Sequence, residues 1–472
     1  MRKRRSASTR ESGRPQHIRT LFLLCGVFVV LPVFEIPVIG LSVTAPLLVP
    51  VIYYVFFKTK TRWVPRYRGW ILVGVAIWVG MVVSFAANGP WIEARELQAI
   101  EIAYLVRYLF WLMVFLVTAY MASDFRIQRR LPFLLGIAAV ILGGLRCFEG
   151  FAFGKMSVWT ETMFLPKNSY GILFSTFTPF LFPVFLGRGL LRKAFCAVGL
   201  LGILYACAIN GSRGSWICIA LGLAAFCFLA FVSRPSASLR LILPVGLAGL
   251  ALLGILAGST RLREEVLSRF STFDDLEKDK SYMTRQVMNQ RNLKLFALSP
   301  WFGTGPGRVR EVYVPLELPL VFAAKSDADF MRRSSHNSYL GFLAEGGLVA
   351  TLPLAVLLVI LAVRGAWSAV ALNRRGEHWA LGIYAGFIGM SVHCWAMSTL
   401  TNTATWFVYG LLAATIHLAS LAQKQAARGT ARPQLARPRF AFAGRRPVVA
   451  SSPVVTSQRS EASGQWSVVR SQ

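Results

Sequence analysis

Acidic residues are scarce in this chain: 21 Asp and Glu stand against 51 Lys and Arg, a formal charge of +30. Charged residues of both signs make up only 15% of 472 positions, so most of the chain must lie in a non-aqueous solvent. Histidine is rarer still, with five. The seven cysteines (Cys25, Cys147, Cys196, Cys207, Cys218, Cys227 and Cys394) fall in or beside apolar stretches without CxxC spacing. Neither a disulfide framework nor a zinc site is indicated. Asp327 and Asp329 form a DxD, but two aspartates in a polar loop are commonplace, and no metal or other cofactor is expected.

Apolar residues are what the chain has in abundance, 55% of the total. Crossing a hydrocarbon core of about 30 Å takes roughly 20 apolar residues per helix. Such stretches recur at 20–36, 38–57, 70–87, 102–121, 131–148, 169–187, 194–209, 215–232, 240–258, 337–363, 379–398 and 402–421. The fold class is therefore read as an all-α polytopic membrane protein with about twelve spans. The basic start MRKRRSASTR could pass for a signal-peptide n-region. Leu21 to Ile36 has no small-residue cleavage site, however, and a second span follows at once, so an uncleaved first helix is expected.

The distribution of the positive charge decides its meaning. With the N-terminus inside, the basic arm 1–19, the loops 58–68, 122–130, 188–193, 233–240 and 364–378, and the basic tail 422–472 all fall on the cytoplasmic side. Opposite loops instead carry Glu93, Glu96, Glu101, Glu149 and Glu161, as the positive-inside rule requires. Membrane lipids, not nucleic acid, are the expected partners of this charge. The domain reading is then a basic arm (1–19), nine spans (20–258), one long non-cytoplasmic loop (259–336), three spans (337–421) and a tail (422–472) expected to be disordered.

Three polar features converge on the non-cytoplasmic face. NGSRGSW, 210–216, puts Arg213 at the start of a span on the side where arginine is disfavoured. It reads either as a snorkelling side chain in a small-residue turn or as an anion-binding group. Topology bias favours the second, and a guanidinium suits a diphosphate. Within the long loop, TRQVMNQRNLKLFALSP predicts a helix capped by Thr284, with Arg285, Asn289 and Asn292 on one polar stripe and Val287, Met288, Leu295 and Leu298 supplying apolar contacts. WFGTGPGRV then breaks it. His336 opens the next span. It reads either as part of a helix entrance capped by Ser335 or Asn337, or as a neutral base for an attacking hydroxyl. Glu345, about 13 Å deeper, is expected to find a structural partner inside the bundle.

In order and spacing, GSRGSW (211–216), Arg285 fifteen residues ahead of PWFGTGPG (300–307), and HNSYLGFLAEGG (336–347) together resemble the O-antigen ligase and O-antigen polymerase family of bacterial envelope glycan enzymes. The resemblance covers about 209–361. It implies a GT-C-like, metal-independent, inverting glycosyltransferase of the inner membrane, with both termini cytoplasmic. The site is expected to be periplasmic, the donor a glycan on undecaprenyl diphosphate, and the acceptor lipid A core or another glycan. Arg213 and Arg285 would stabilise the diphosphate and His336 would activate the acceptor. Arg291, Arg332, Arg333 and Asn337 are further candidates for contacting substrate. A ligase is favoured over a repeat-unit or exopolysaccharide polymerase. A lipid-linked glycan transporter is a reading of a different class, weakened by the lack of a repeat relating the two halves. A metal-dependent oligosaccharyltransferase would want an acidic motif in an early external loop, which NGPWIEARELQ lacks.

Overall fold

The computed structural model describes residues 14–31, 35–36, 41–42, 44–59, 64–88, 95–152, 165, 167–187, 189–236, 277–319, 322, 326, 330, 333 and 335–427, with scattered positions between 246 and 267. The expected tail beyond 427, the DxD pair, Arg332 and most of the segment 237–276 lie outside the described residues. Helices dominate: α1 (Gln16–Val30), α2 (Thr44–Tyr53, continued by a wider turn to Lys58), α3 (Val64–Asn88), α4 (Arg95–Met121), α5 (Phe125–Ala152), α6 (Lys167–Phe177), α7 (Pro183–Leu186), α8 (Leu190–Asn210), α9 (Arg213–Ser233), α10 (Lys280–Leu298), α11 (Ser338–Arg374), α12 (Trp379–Ala396) and α13 (Thr403–Ala427). A two-residue antiparallel ladder joins Glu35–Ile36 to Leu41–Ser42.

Eight candidate spans among the described residues are long and apolar enough to cross a membrane. They coincide with eight of the twelve stretches read from the sequence. Two others, 20–36 and 38–57, coincide with shorter apolar helices, and 379–398 coincides with α12, which has 18 residues. The stretch 240–258 has only scattered described positions. The span around α6 is broken, because Pro179 and Pro183 cannot donate to a continuous helix and a 3-10 turn, Thr178–Phe180, intervenes.

Glycines let the helices meet closely. A Cβ on Gly80 of α3 would stand 2.6 Å from the Ala350 Cα of α11, and one on Gly389 of α12 would stand 2.5 Å from the Ser175 carbonyl of α6. Such small-residue contacts replace the hydrophobic drive that lipid removes. On its outer side α11 exposes Leu352, Val356, Val359, Val363 and Trp367, a stripe at helical spacing suited to hydrocarbon.

The bend that positions the site is in α11. Gly347 takes φ 58° and ψ −163°, which interrupts the helix and separates a short segment, 338–346, from a long one, 348–374. The freed backbone groups are paired by the glycine-punctuated turn that follows α10. Thr304 N–H donates to Ala344 O (2.8 Å) and Gly305 N–H to Glu345 O (3.0 Å), while Leu348 and Val349 N–H donate to Pro300 O (2.9 Å) and Trp301 O (3.1 Å). Within a membrane such irregular backbone survives only where other protein groups satisfy it. The motifs PWFGTGPG and LAEGG are thus two halves of one backbone lock. It fixes the end of α10 against the segment that begins just after His336.

Candidate active site

Arg213 is the first residue of α9. Gly211, at φ 58°, ends α8 in the left-handed conformation, and its N–H bonds to Cys207 O and Ala208 O, as a glycine C-cap does. Trp216 Nε1 reaches back to Cys207 O at 3.0 Å, clasping the hairpin. The sequence GSRGSW therefore builds a tight turn that presents a guanidinium at the bundle end. Gly214 leaves open space beside it, since a Cβ there would meet only the Ala396 Cβ, at 3.9 Å.

Asp279 joins this turn to α10. One carboxylate oxygen accepts from Ser281 N–H (2.8 Å) and Tyr282 N–H (3.3 Å), and the other pairs with Arg213 Nη2. The cap of α10 is therefore Asp279 and not Thr284, whose hydroxyl donates back to Lys280 O at 2.7 Å. The correction has a physical reason: a carboxylate ahead of the first turn satisfies two free N–H groups and favours the positive end of the helix. Burial would raise the Asp279 carboxyl, but the Arg213 guanidinium and the two N–H groups hold it below its ordinary value.

Along the polar stripe of α10 the three side chains have different fates. Arg285 is half-buried, and its Nε has no hydrogen-bond partner among the described residues. Burial and the Arg213 charge both press its pKa down, against the attraction of Asp279. The Asn289 Oδ1 is likewise buried without a partner among the described residues. Asn292 donates to Ser335 Oγ, which itself donates to Asn337 O at 3.0 Å. On the apolar side Val287, Met288 and Leu295 are buried as expected, whereas Leu298 is exposed.

His336 is the one non-glycine residue with positive φ among the described residues, at 50°. A residue held in that sparsely populated region is strained and is kept there by its surroundings. Its N–H donates to Ser398 Oγ at 3.2 Å, and Nδ1 is buried with no hydrogen-bond partner among the described residues. Burial, then the charges of Arg285, Arg333 and Arg291, lower its pKa below the ordinary imidazole value. Each of these favours the neutral ring, the form that can take up a proton.

The remaining candidates divide clearly. Asn337 caps α11, its Oδ1 accepting from Tyr339 and Leu340 N–H at 3.1 Å each. Arg291 is fully buried and donates to Phe330 O (3.0 Å) and Arg333 O (3.1 Å). Both are engaged with backbone that leads to His336. Arg333 is exposed, its guanidinium 4.8 Å from the centre of the Phe330 ring. The structure brings Arg213, Arg285, Arg333 and His336 to one end of the bundle.

Sequence reasoning missed several participants. Asp279 lay in what reads as a charged link, although an acid directly before KSYMTRQ is a cap signal. Glu345 has the structural partners that were expected: its Oε2 accepts from Tyr108 OH at 3.0 Å and its carbonyl from Ser84 Oγ at 2.7 Å. It also faces a cavity of about 70 Å³ with Tyr104, Arg310, Ser335 and Ser338. His393, buried on α12 and 3.3 Å from Ser175 Oγ, had no signal beyond its rarity. Among the described residues no group of three or more His, Cys, Asp or Glu is placed to hold a metal ion.

No curated protein is detectably similar to the chain. Residues 198–355, about a third of the chain, which hold Arg213, Asp279, Arg285, His336 and Glu345, match the family model described as O-antigen ligase.

Proposed function

We propose that the protein is an inverting glycosyltransferase of the bacterial inner membrane that moves a glycan from undecaprenyl diphosphate to a hydroxyl of lipid A core. Its two termini are cytoplasmic and its site faces the periplasm, covered by the loop 259–336. The observation that carries this reading is a strained histidine whose pKa is lowered by burial and by Arg285, at the same bundle end as the Arg213–Asp279 pair. In the reaction the acceptor oxygen attacks the anomeric carbon as the bond from that carbon to the diphosphate oxygen breaks. The acceptor proton passes to His336, and the electron pair leaves with undecaprenyl diphosphate. Arg213 and Arg285 are fixed cations for the charge that grows on the leaving group, a role that needs no metal in this mechanism. Arg332 and Arg333 assist the donor, while Arg291 and Asn337 act as positioning residues for the backbone around His336.

Ligase and polymerase differ in acceptor, and the cell distinguishes them. A strain carrying His336→Ala is expected to accumulate full-length lipid-linked polymer and to lack polymer on lipid A core. Accumulation of single lipid-linked repeats would replace the ligase reading with a polymerase. The purified protein should transfer glycan in the presence of EDTA, and an absolute metal requirement would overturn the mechanism.

A further inference from the structure

His336 lies between two anchored pieces of chain. Before it, Ser335 Oγ accepts from the Asn292 side chain of α10 and donates to Asn337 O at 3.0 Å. After it, Ser338, the first residue of α11, fastens the loop 397–402 that joins α12 to α13. Its hydroxyl donates to Met397 O at 2.6 Å and accepts from Thr399 N–H (2.6 Å) and Leu400 N–H (3.1 Å), which uses every bond a hydroxyl can make. Trp406 Nε1 ties the same loop to α13, donating to Leu400 O at 2.7 Å. The loop in turn presents Ser398 Oγ to the His336 N–H at 3.2 Å. That N–H lies in the peptide plane whose rotation about N–Cα is φ, so a partner fixed to the loop opposes relaxation of His336 from its φ of 50°. Packing alone does not hold this joint, because Ser335, Ser338, Ser398, Leu400 and Thr401 all line the cavity of about 70 Å³.

We propose that Ser398 is a positioning residue for His336: the loop between α12 and α13 supplies the hydrogen bond that keeps the histidine in its left-handed conformation and so holds its ring in place. The proposal rests on the reading of His336 as the base. A left-handed non-glycine residue persists only where its surroundings over-determine it, and proton transfer demands that base and hydroxyl stay within hydrogen-bond reach. Loss of the Ser398 oxygen lets the 335–336 peptide turn and the ring leave its buried place. In Ser398→Ala a water in the cavity can take the N–H and preserve the fold, but it is not tied to the loop and does not hold φ. Position, more than stability, is what the serine supplies.

Transfer from the undecaprenyl-diphosphate-linked glycan to lipid A core is measured with the full-length protein in detergent, as kcat, KM and the pH dependence of kcat/KM, alongside melting curves. Ser398→Ala is expected to lower kcat by about two- to tenfold, the factor that one hydrogen bond between neutral groups carries, with KM and melting temperature close to wild type. Burial, with the charges of Arg285, Arg333 and Arg291, lowers the His336 pKa, so a ring that spends time outside its buried place should move the acid limb to higher pH. Ser398→Thr keeps the oxygen and should restore both the rate and the limb. An unchanged kcat, a rate loss that only tracks lost folded protein, an unmoved limb, or Ser398→Thr as impaired as Ser398→Ala would overturn the positioning role while leaving the base standing. Full activity in His336→Ala would remove the base itself and this proposal with it. Should Ser398→Ala not fold, Ser398→Cys, whose sulfur is a weak acceptor, serves for the same comparison.

Discussion

Particular arginines at the two ends of the helix bundle are partnered differently. At the end formed by the last turns of α4 and α11, three guanidinium groups donate to backbone carbonyls or a carboxylate. Arg129 Nε donates to Glu377 Oε2 at 2.9 Å, Arg14 Nη1 to Met121 O at 2.7 Å, and Arg375 Nη1 to Ala422 O at 2.9 Å. These are helix-end carbonyls and a carboxylate, the ordinary partners that let a cation sit beside a bundle. At the other end Arg285 has its Nε buried and unpaired among the described residues, and the neighbouring His336 is strained. The three guanidinium groups named at the first end are occupied by protein contacts. The second keeps polar capacity in reserve, which natural proteins tolerate mainly where a ligand completes the arrangement.

Removing an arginine from each end should separate stability from chemistry. Arg285→Ala is expected to lower transfer by about 10²–10³-fold, the range for removing one fixed donor to transition-state charge, with thermal stability unchanged or raised because a half-buried cation whose Nε has no hydrogen-bond partner among the described residues is lost. Arg129→Gln should do the reverse, costing about 1–2 kcal/mol in stability with turnover per folded molecule intact. Melting curves and initial rates on the same preparations make the test. Lost folding in Arg285→Ala with normal specific activity would return Arg285 to a structural role.

Gly347 and Gly202 form a second pair, one at the site end and one in an ordinary helix. A Cβ on Gly347 would stand 2.3 Å from the Trp301 carbonyl at φ 58°, whereas one on Gly202 of α8 meets nothing within 4 Å. Gly347→Ala should cost about 1–3 kcal/mol from conformation alone, with a further penalty for the clash. It should also cut turnover, because the lock between the turn and α11 moves His336 and α10 apart. Gly202→Ala is expected to leave turnover unchanged and to be neutral or slightly stabilising, as alanine is the better helix former.

How far the sequence revealed this arrangement depended on the kind of signal. Apolar runs of about twenty residues announce helices directly, so the bundle and most of its spans were legible. The order of Arg213, Arg285 and His336 was legible because local motifs surround each. What was hidden depends on contacts between segments far apart in the chain. Asp279 meets Arg213 across 66 positions, and Glu345 meets Tyr108 across 237. The break at Gly347 was equally hidden, since a Gly-Gly pair inside an apolar run reads as tolerated helix until the turn that fills the gap is seen. Arg291 and Asn337 read as ligand contacts because the sequence shows a polar side chain but not the carbonyls that Arg291 donates to or the N–H groups from which Asn337 Oδ1 accepts.

The smallest contrast lies within the site itself, between the half-buried Arg285 and the exposed Arg333. Both charges depress the His336 pKa, with burial the larger cause. A base works in its deprotonated form, so kcat/KM should be lost as pH falls through the His336 pKa, and the depression keeps the enzyme active to lower pH than an ordinary histidine would. Arg333→Gln removes one depressing charge together with the guanidinium's contact to the Phe330 ring, so the acid limb of the pH profile should move to higher pH, a shift read separately from any loss of plateau rate through its donor role. Because Arg333 is exposed, its effect is screened by salt, and the difference between variant and wild type should shrink as ionic strength rises. A limb that does not move, or that moves to lower pH, would mean that the group titrating in the profile is not His336 or that Arg333 does not act on it through charge.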